Sequence, residues 1–243
     1  MPKITTILFD CDNTLVLSEE LAFAACADLI NEICEKQGVE KRFTGESLIL
    51  EFVGQNFRGM LGSLQARYGI KLTPEELEDY VKAEEDAVIA KIRAHGQPCV
   101  GVMEQLEKLA AEKKYHLAVV SSSAKRRVVA SIEKVGQDKF FKNEEVFSAA
   151  TSLPVPTSKP DPAIYLHAAK VLGKDVSECL AIEDSKSGTT SGHRAGILVL
   201  GYTGPYPPER KAEMTQVLKD AGAVVVMDDW SEFPEALAKI EAL

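Results

Sequence analysis

The sequence predicts an α/β protein: a Rossmann-like parallel sheet with helices on both faces, and an α-helical segment inserted early in the chain. Three observations lead there. Short apolar, β-branched runs recur at residues 4–9, 116–120, 146–149, 179–182, 197–200 and 223–227. Segments with helical spacing separate most of them, at 102–113, 124–135, 162–172 and 207–221. Strands that are apolar on both faces and alternate with helices belong to parallel sheets, because the crossover helices cover each face. The third observation is a break in this rhythm. From about residue 18 to 93 the pattern is amphipathic and helical only, at 19–37, around 48–68 and at 75–93. The last segment opens on Thr73-Pro74-Glu75-Glu76. Thr73 suits an N-cap, Pro74 the first helical position, and Glu76 closes a capping box. The expected division is an α/β core of residues 1–17 and 94–243 with a helical cap of residues 18–93.

The 243 residues are 45% hydrophobic, enough for a sizeable core. No apolar run approaches the ~18 residues that span a bilayer, so no membrane partner is expected. The start, Met1-Pro2-Lys3-Ile4-Thr5-Thr6, lacks the apolar stretch of a secretory signal. Five scattered cysteines without a CxxC pair argue against a disulfide framework or a zinc site and point to a reducing, cytoplasmic setting. A formal charge of −9 with no basic stripe argues against nucleic acid. An anionic metabolite stays open, because local cations or a metal can dominate one pocket. On oligomeric state the sequence is silent, and a monomer suffices for everything read from it.

Ligands of open parallel sheets bind beyond the carboxyl ends of the strands, so the residues just after each strand matter most. Asp10-Cys11-Asp12-Asn13-Thr14 follows the first strand and Ser121-Ser122-Ser123 the next. Ser158-Lys159-Pro160-Asp161-Pro162 opens a helix, and Glu183-Asp184-Ser185-Lys186-Ser187-Gly188 follows the strand at 179–182. Asp10, Asp12 and Asp184 brought together would repel, raising at least one pKa unless a cation joins them. Hard carboxylate oxygens with room for water suit magnesium. Ser121 and Lys159 would then hold phosphoryl oxygens, since positioning and charge stabilisation do most of the work of phosphoryl transfer. Asp161-Pro162 is expected to cap the following helix and so fix Lys159.

These four segments resemble the motifs of the haloacid dehalogenase superfamily. Asp10-Cys11-Asp12-Asn13-Thr14 is similar to its DxDx[TV] nucleophile motif, Ser121 to the second motif, Lys159 in Lys-Pro-Asp-Pro to the third, and Glu183-Asp184 with Ser187-Gly188 to the fourth. The insertion between the first two looks like the helical cap of β-phosphoglucomutase-like and sugar-phosphatase members. The resemblance implies a phosphatase in which Asp10 becomes phosphorylated. Asp12 would protonate the leaving alkoxide and then activate water. Asp10, Asp184 and the backbone carbonyl of Asp12 would hold Mg2+, with Glu183 a direct or water-mediated candidate. Asn13 and Ser122 are expected beside the substrate, and Arg58 in a position where related caps contact it.

The resemblance also separates chemistries. Asp12 argues against a dehalogenase, which lacks the second aspartate. The absence of lysine from residues 18–33 argues against a phosphonatase. Ala22 stands where the mutases carry a histidine, favouring hydrolysis. A small phosphorylated metabolite, a sugar phosphate or sugar-acid phosphate, is the expected substrate under a cap that excludes water. The runner-up is a phosphosugar mutase, followed by a non-catalytic phosphate-binding protein, which would be expected to have lost one of the three aspartates. Asn13 replaces the commoner glycine of the motif and would tolerate positive φ. Cys11 is expected to face the core. His193 and Arg194 are expected on a helix surface, and Phe23, Phe43, Phe52 and Phe57 in cap packing.

Overall fold

The computed structural model describes residues 3–52 and 55–243. In chain order these form β1 (Thr6–Phe9), β2 (Val16–Leu17), α1 (Glu19–Lys36), α2 (Gly45–Glu51), α3 (Phe57–Tyr68), α4 (Pro74–His95), β3 (Gln97–Pro98), α5 (Val102–Glu112) and β4 (His116–Ser121). There follow α6 (Lys125–Lys134), β5 (Val146–Ser148), α7 (Ala163–Leu172), β6 (Cys179–Glu183), α8 (Lys186–Arg194), β7 (Leu198–Tyr202), α9 (Pro208–Asp220), β8 (Ala223–Met227) and α10 (Phe233–Glu241). The chain divides into two compact units. One runs to Leu17 and resumes over Gln97–Leu243; the other is Ser18–Gly96.

The first unit is the α/β fold that the apolar runs predict. Its six-stranded sheet has the order β5-β4-β1-β6-β7-β8, and every pairing is parallel. Alternating side chains divide its core in two, as a period-2 backbone dictates. Ile7, Phe9, Val119, Ile182 and Leu200 belong to one cluster with Leu106, Val128 and Leu237 from α5, α6 and α10. Leu8, Ala118, Val120, Ala181 and Val199 belong to the other, with Ile164, Tyr165 and Ala168 from α7. Trp230 is fully buried and centres an aromatic group, its ring 6.2 Å from Phe9, 5.4 Å from Tyr202 and 5.5 Å from Phe233. The register carries Phe9 level with Val119 on one side and Ile182 on the other, and Asp10 continues the ladder by donating its N–H to the Ile182 carbonyl at 3.0 Å. The end of the central strand is thereby fixed against both neighbours.

The second unit is helical throughout its described residues. In α4 the expected capping box forms: Thr73 accepts from the Glu76 N–H, the Glu76 carboxylate accepts from the Thr73 N–H, and Pro74 is the first helical residue. The helical section expected around 48–68 holds two helices, α2 and α3, with Asn56 capping the second by accepting from Gly59. Phe52 ends α2, and Val53 and Gly54, which fall within the expected helical section, lie outside the described residues. Phe43, Phe52 and Phe57 are buried here with Ile30, Leu61 and Leu64, and Phe23 packs partly buried against them. The ribbon of β2 with β3, two antiparallel residue pairs, was not expected; it is too short to show alternation. Among the described residues no helix is long and apolar enough to cross a membrane. All five cysteines are buried, and no disulfide joins them.

Leu8 is inaccessible at the centre of the sheet. Leu8→Ala is therefore expected to lower stability by about 2–5 kcal/mol in a urea titration. A loss below about 1 kcal/mol would contradict this account of the core.

Candidate active site

Three strand ends and one helix approach deliver polar side chains to the same edge of the sheet. Asp10 follows β1, Ser121 ends β4, Glu183 ends β6 with Asp184 behind it, and Lys159 precedes α7. Asp10, Lys159, Glu183 and Asp184 are all buried. The Lys159 ammonium donates to Asp10 Oδ1 at 2.5 Å, to Glu183 Oε1 at 2.6 Å and to the Val120 carbonyl at 2.7 Å. Its three hydrogens thus meet three acceptors. The Tyr165 hydroxyl donates to the same Glu183 oxygen at 2.5 Å, and its ring centroid lies 5.2 Å from the Lys159 nitrogen. Asp184 accepts from the Thr14 hydroxyl at 3.4 Å, and its carbonyl from the Tyr206 hydroxyl at 3.2 Å.

Burial pushes the Asp10 carboxyl up to about 7, opposed by the Lys159 charge and reinforced by Glu183 and Asp12. Lys159, also buried, is held above its ordinary value because the Asp10 and Glu183 charges outweigh its desolvation. One oxygen each of Asp10, Glu183 and Asp184 lies within 4.8 Å of the others. Such a set of hard donors around a site that disfavours more negative charge fits a hard divalent cation.

Asp12 is held separately. Arg127 Nη2 donates to its Oδ1 at 2.8 Å, and Ser123 and Ser121 donate to its Oδ2 at 2.7 and 3.3 Å. Asn13 adopts φ 58°, in keeping with the turn that its motif position implies, and its N–H donates to the Val16 carbonyl. The Ser122 hydroxyl accepts from the Lys159 N–H at 3.1 Å, so this serine ties the lysine backbone to the loop after β4. Pro162 is the N-cap of α7, the Asp161 carboxylate just before it accepts from the Ala163 N–H at 2.9 Å, and the peptide before Pro160 is cis.

Of the residues singled out in the sequence, Asp10, Asp12, Ser121, Ser122, Lys159, Glu183 and Asp184 converge through these bonds, and Asn13 lies in the same loop as the aspartates. Arg58 belongs to the other unit, exposed on α3 and paired with Glu78 through both guanidinium nitrogens. Cys11 is fully buried in the core, and His193 and Arg194 are exposed. The sequence reading missed Ser123 and Arg127 as partners of Asp12, and Tyr165 as a partner of Glu183. The signals were slight: a third serine in a row, one of three consecutive basic residues, and a tyrosine on an apolar helix face.

Comparison with known proteins places this geometry. The profile of the family described as haloacid dehalogenase-like hydrolase matches residues 7–202. The chain belongs to that family, and it is an enzyme of the phosphoric monoester hydrolase class. Among its relatives, the 6-phosphogluconate phosphatase of Escherichia coli is 28% identical over 205 residues, 83% of this chain and 84% of that protein. A phosphorylated carbohydrates phosphatase of Thermotoga maritima is 29% identical over 191 residues, 79% of this chain and 81% of its own. A solved structure of a family hydrolase from Deinococcus radiodurans, with bound phosphate and sodium, aligns over 100% of this chain and 99% of its own at 25% identity with a TM-score of 0.74.

Gly188 stands against the Glu183 carboxylate so closely that a Cβ there would overlap it. Alanine normally favours a helix over glycine by ~1 kcal/mol. Gly188→Ala is nonetheless expected to lose about 1–3 kcal/mol in thermal melts, because the methyl group has no room. A rise in melting temperature would show that the carboxylate is not confined.

Proposed function

We propose that this enzyme is a Mg2+-dependent phosphatase of a small phosphorylated sugar or sugar acid, working through an aspartyl-phosphate on Asp10. The observation that carries the proposal is the joining of Asp10, Lys159, Glu183 and Asp184 at one sheet edge. The relatives named for carbohydrate and gluconate phosphates support the substrate class. The cap role belongs to the helical residues 18–93, which would supply specificity, with Arg58 among the candidates.

Asp10, Asp184 and the backbone carbonyl of Asp12 would hold the metal. Bound Mg2+ would offset the repulsion between an anionic phosphoryl group and the attacking carboxylate. Asp10 attacks phosphorus, and the bond from phosphorus to the ester oxygen breaks. Asp12 in its protonated form gives its proton to that departing oxygen. Water then attacks the acyl phosphate, Asp12 takes the water proton, and the bond between Asp10 and phosphorus breaks to release phosphate. Lys159 and Ser121 steady the phosphoryl oxygens through both steps. Before the first step Asp12 must leave its bonds with Arg127 and Ser123, so the arrangement described here is a resting one.

Purified protein tested on a panel of phosphomonoesters should release inorganic phosphate only with Mg2+ present, and EDTA should abolish turnover. Full activity in metal-free protein would overturn the metal assignment. With a hexose 1-phosphate, phosphate should appear and no 6-phosphate isomer; an isomer forming faster than free phosphate would favour a mutase.

The two aspartates should fail differently. Asp10→Asn is expected to fall to background with no phosphoenzyme. Asp12→Asn should lose roughly 10²–10⁴-fold in turnover of an alkyl ester. With a nitrophenyl ester, whose leaving group needs no proton, it should accumulate a phosphoryl adduct on the peptide containing Asp10, read by intact mass after acid quench. An adduct on Ser121, or substantial activity in Asp10→Asn, would remove Asp10 as the nucleophile.

A further inference from the structure

Two cations meet the two aspartates of the first loop, and they are placed differently. Lys159 is buried and holds Asp10. Arg127 holds Asp12, its Nη2 donating to Oδ1 at 2.8 Å. Both members of this second pair reach the surface, with 18% of the Arg127 side chain and 25% of the Asp12 side chain exposed. Ser121 and Ser123 donate to the other Asp12 oxygen, so arginine and serines meet different oxygens of one carboxylate.

Arg127 belongs to the first turn of α6, which opens on Lys125-Arg126-Arg127 and holds no acidic residue. Positive side chains are disfavoured at this end of a helix, where the macrodipole is itself positive. In a chain with a net charge of −9, this turn gathers three positive charges just after β4, the neighbour of β1. Such a local concentration of charge draws anions to one edge of an otherwise acidic protein. Lys125 turns to the Asn143 carbonyl at 2.6 Å and Arg126 is exposed, whereas Arg127 is aimed at Asp12.

That aim has a chemical meaning. In the reaction proposed above Asp12 serves the departing ester oxygen, so the alcohol portion of the substrate must lie against the Asp12 carboxylate. A side chain bonded to that carboxylate stands one contact from the leaving group. When Asp12 turns to the ester oxygen, the guanidinium gives up a carboxylate oxygen, and an anion on the leaving group can take the same place. The planar fork of a guanidinium fits carboxylate and phosphate oxygens and engages a neutral hydroxyl less strongly.

Resting on the phosphatase reading above, we propose that Arg127 selects the leaving group, and that the preferred substrate is a phosphomonoester whose alcohol carries a second anion, a carboxylate or another phosphate. The anion replaces Asp12 on Arg127, and Asp12 is released to the ester oxygen in the same exchange. A neutral sugar phosphate offers no such replacement.

The test compares compounds that differ only at the far end of one carbon chain: sorbitol 6-phosphate, 6-phosphogluconate with a carboxylate there, and sorbitol 1,6-bisphosphate with a second phosphate. Values of kcat/KM are measured for wild type, Arg127→Lys and Arg127→Met. Wild type is expected to favour at least one anion-bearing compound over sorbitol 6-phosphate by about 10- to 100-fold, the range of a hydrogen bond to a charged group. The compound that shows the preference identifies the anion. Arg127→Met should bring the ratio close to unity, and Arg127→Lys, which keeps the charge and loses the fork, should fall between. A residue that merely held Asp12 would slow all three compounds alike, so an undiminished ratio in either variant overturns the inference. A wild-type ratio close to unity with both anions does the same. Calorimetric titration of the three compounds into Asp10→Asn protein, with and without Arg127→Met, needs no turnover. It should show the preference only where Arg127 is present; equal affinities, or no binding, with Arg127 in place would count against its role. If wild type hydrolyses none of these compounds, nor p-nitrophenyl phosphate, while the titration keeps the preference, the phosphatase reading fails and the assignment of Arg127 stands.

Discussion

Lys159 is buried, and its ammonium touches two carboxylates and a backbone carbonyl. Removing such an ion from water costs several kcal/mol in effective terms, and only good geometry with all its hydrogens engaged offsets that cost. The same arrangement answers a second difficulty. The ends of β1 and β6 are adjacent in the sheet, so Asp10 and Glu183 arrive within reach of one cation. Without Lys159 those two strand ends would carry unpaired buried negative charge at the centre of the fold. The cation that the chemistry would use is therefore also the one that lets the sheet edge exist, and neighbouring features serve it. Ser122 ties its backbone N–H, Asp161 accepts from the first N–H of the helix that follows, and the Tyr165 hydroxyl donates to Glu183.

Much of this was legible in the chain because it is written in local patterns. The central strands are buried on both faces, so they read as apolar runs, and the residues after them stood out as polar exceptions. Asp10, Ser121, Glu183 and Asp184 were singled out in that way, and Lys159 by its place at a helix start. Thr73-Pro74-Glu75-Glu76 announces a helix start because its partners lie within four residues of one another. Asn13 could be assigned to a turn because few residues other than glycine accept φ near 58° at low cost.

What stayed hidden depends on contacts between distant parts of the chain. Lys125, Arg126 and Arg127 are indistinguishable in sequence. The fold exposes Arg126, sends Lys125 to the Asn143 carbonyl, and aims Arg127 at Asp12. Tyr165 reads as one more apolar residue beside Ile164, Ala168 and Ala169, and its hydroxyl acquires meaning only when β6 brings Glu183 alongside. The helical section around 48–68 does not itself show where α2 ends and α3 begins; the structure gives Phe52 as the C-cap of one and Asn56 as the N-cap of the other. In each case the local pattern was sound and a longer-range partner added what it could not contain.

The two-pair ribbon of β2 and β3 has a consequence for how such a chain can change over time. Val16 pairs with Pro98 and Leu17 with Gln97, so the α/β unit is left and re-entered at neighbouring points. From the standpoint of the sheet, everything between those points is a single loop whose ends are already tied together. The entropy of closing a loop rises only with the logarithm of its length, so lengthening, shortening or replacing that stretch asks little of the sheet. A ribbon of four residues thus makes the helical unit an exchangeable module. Replacing that stretch would leave the strand ends with the same carboxylates and lysine in the same register.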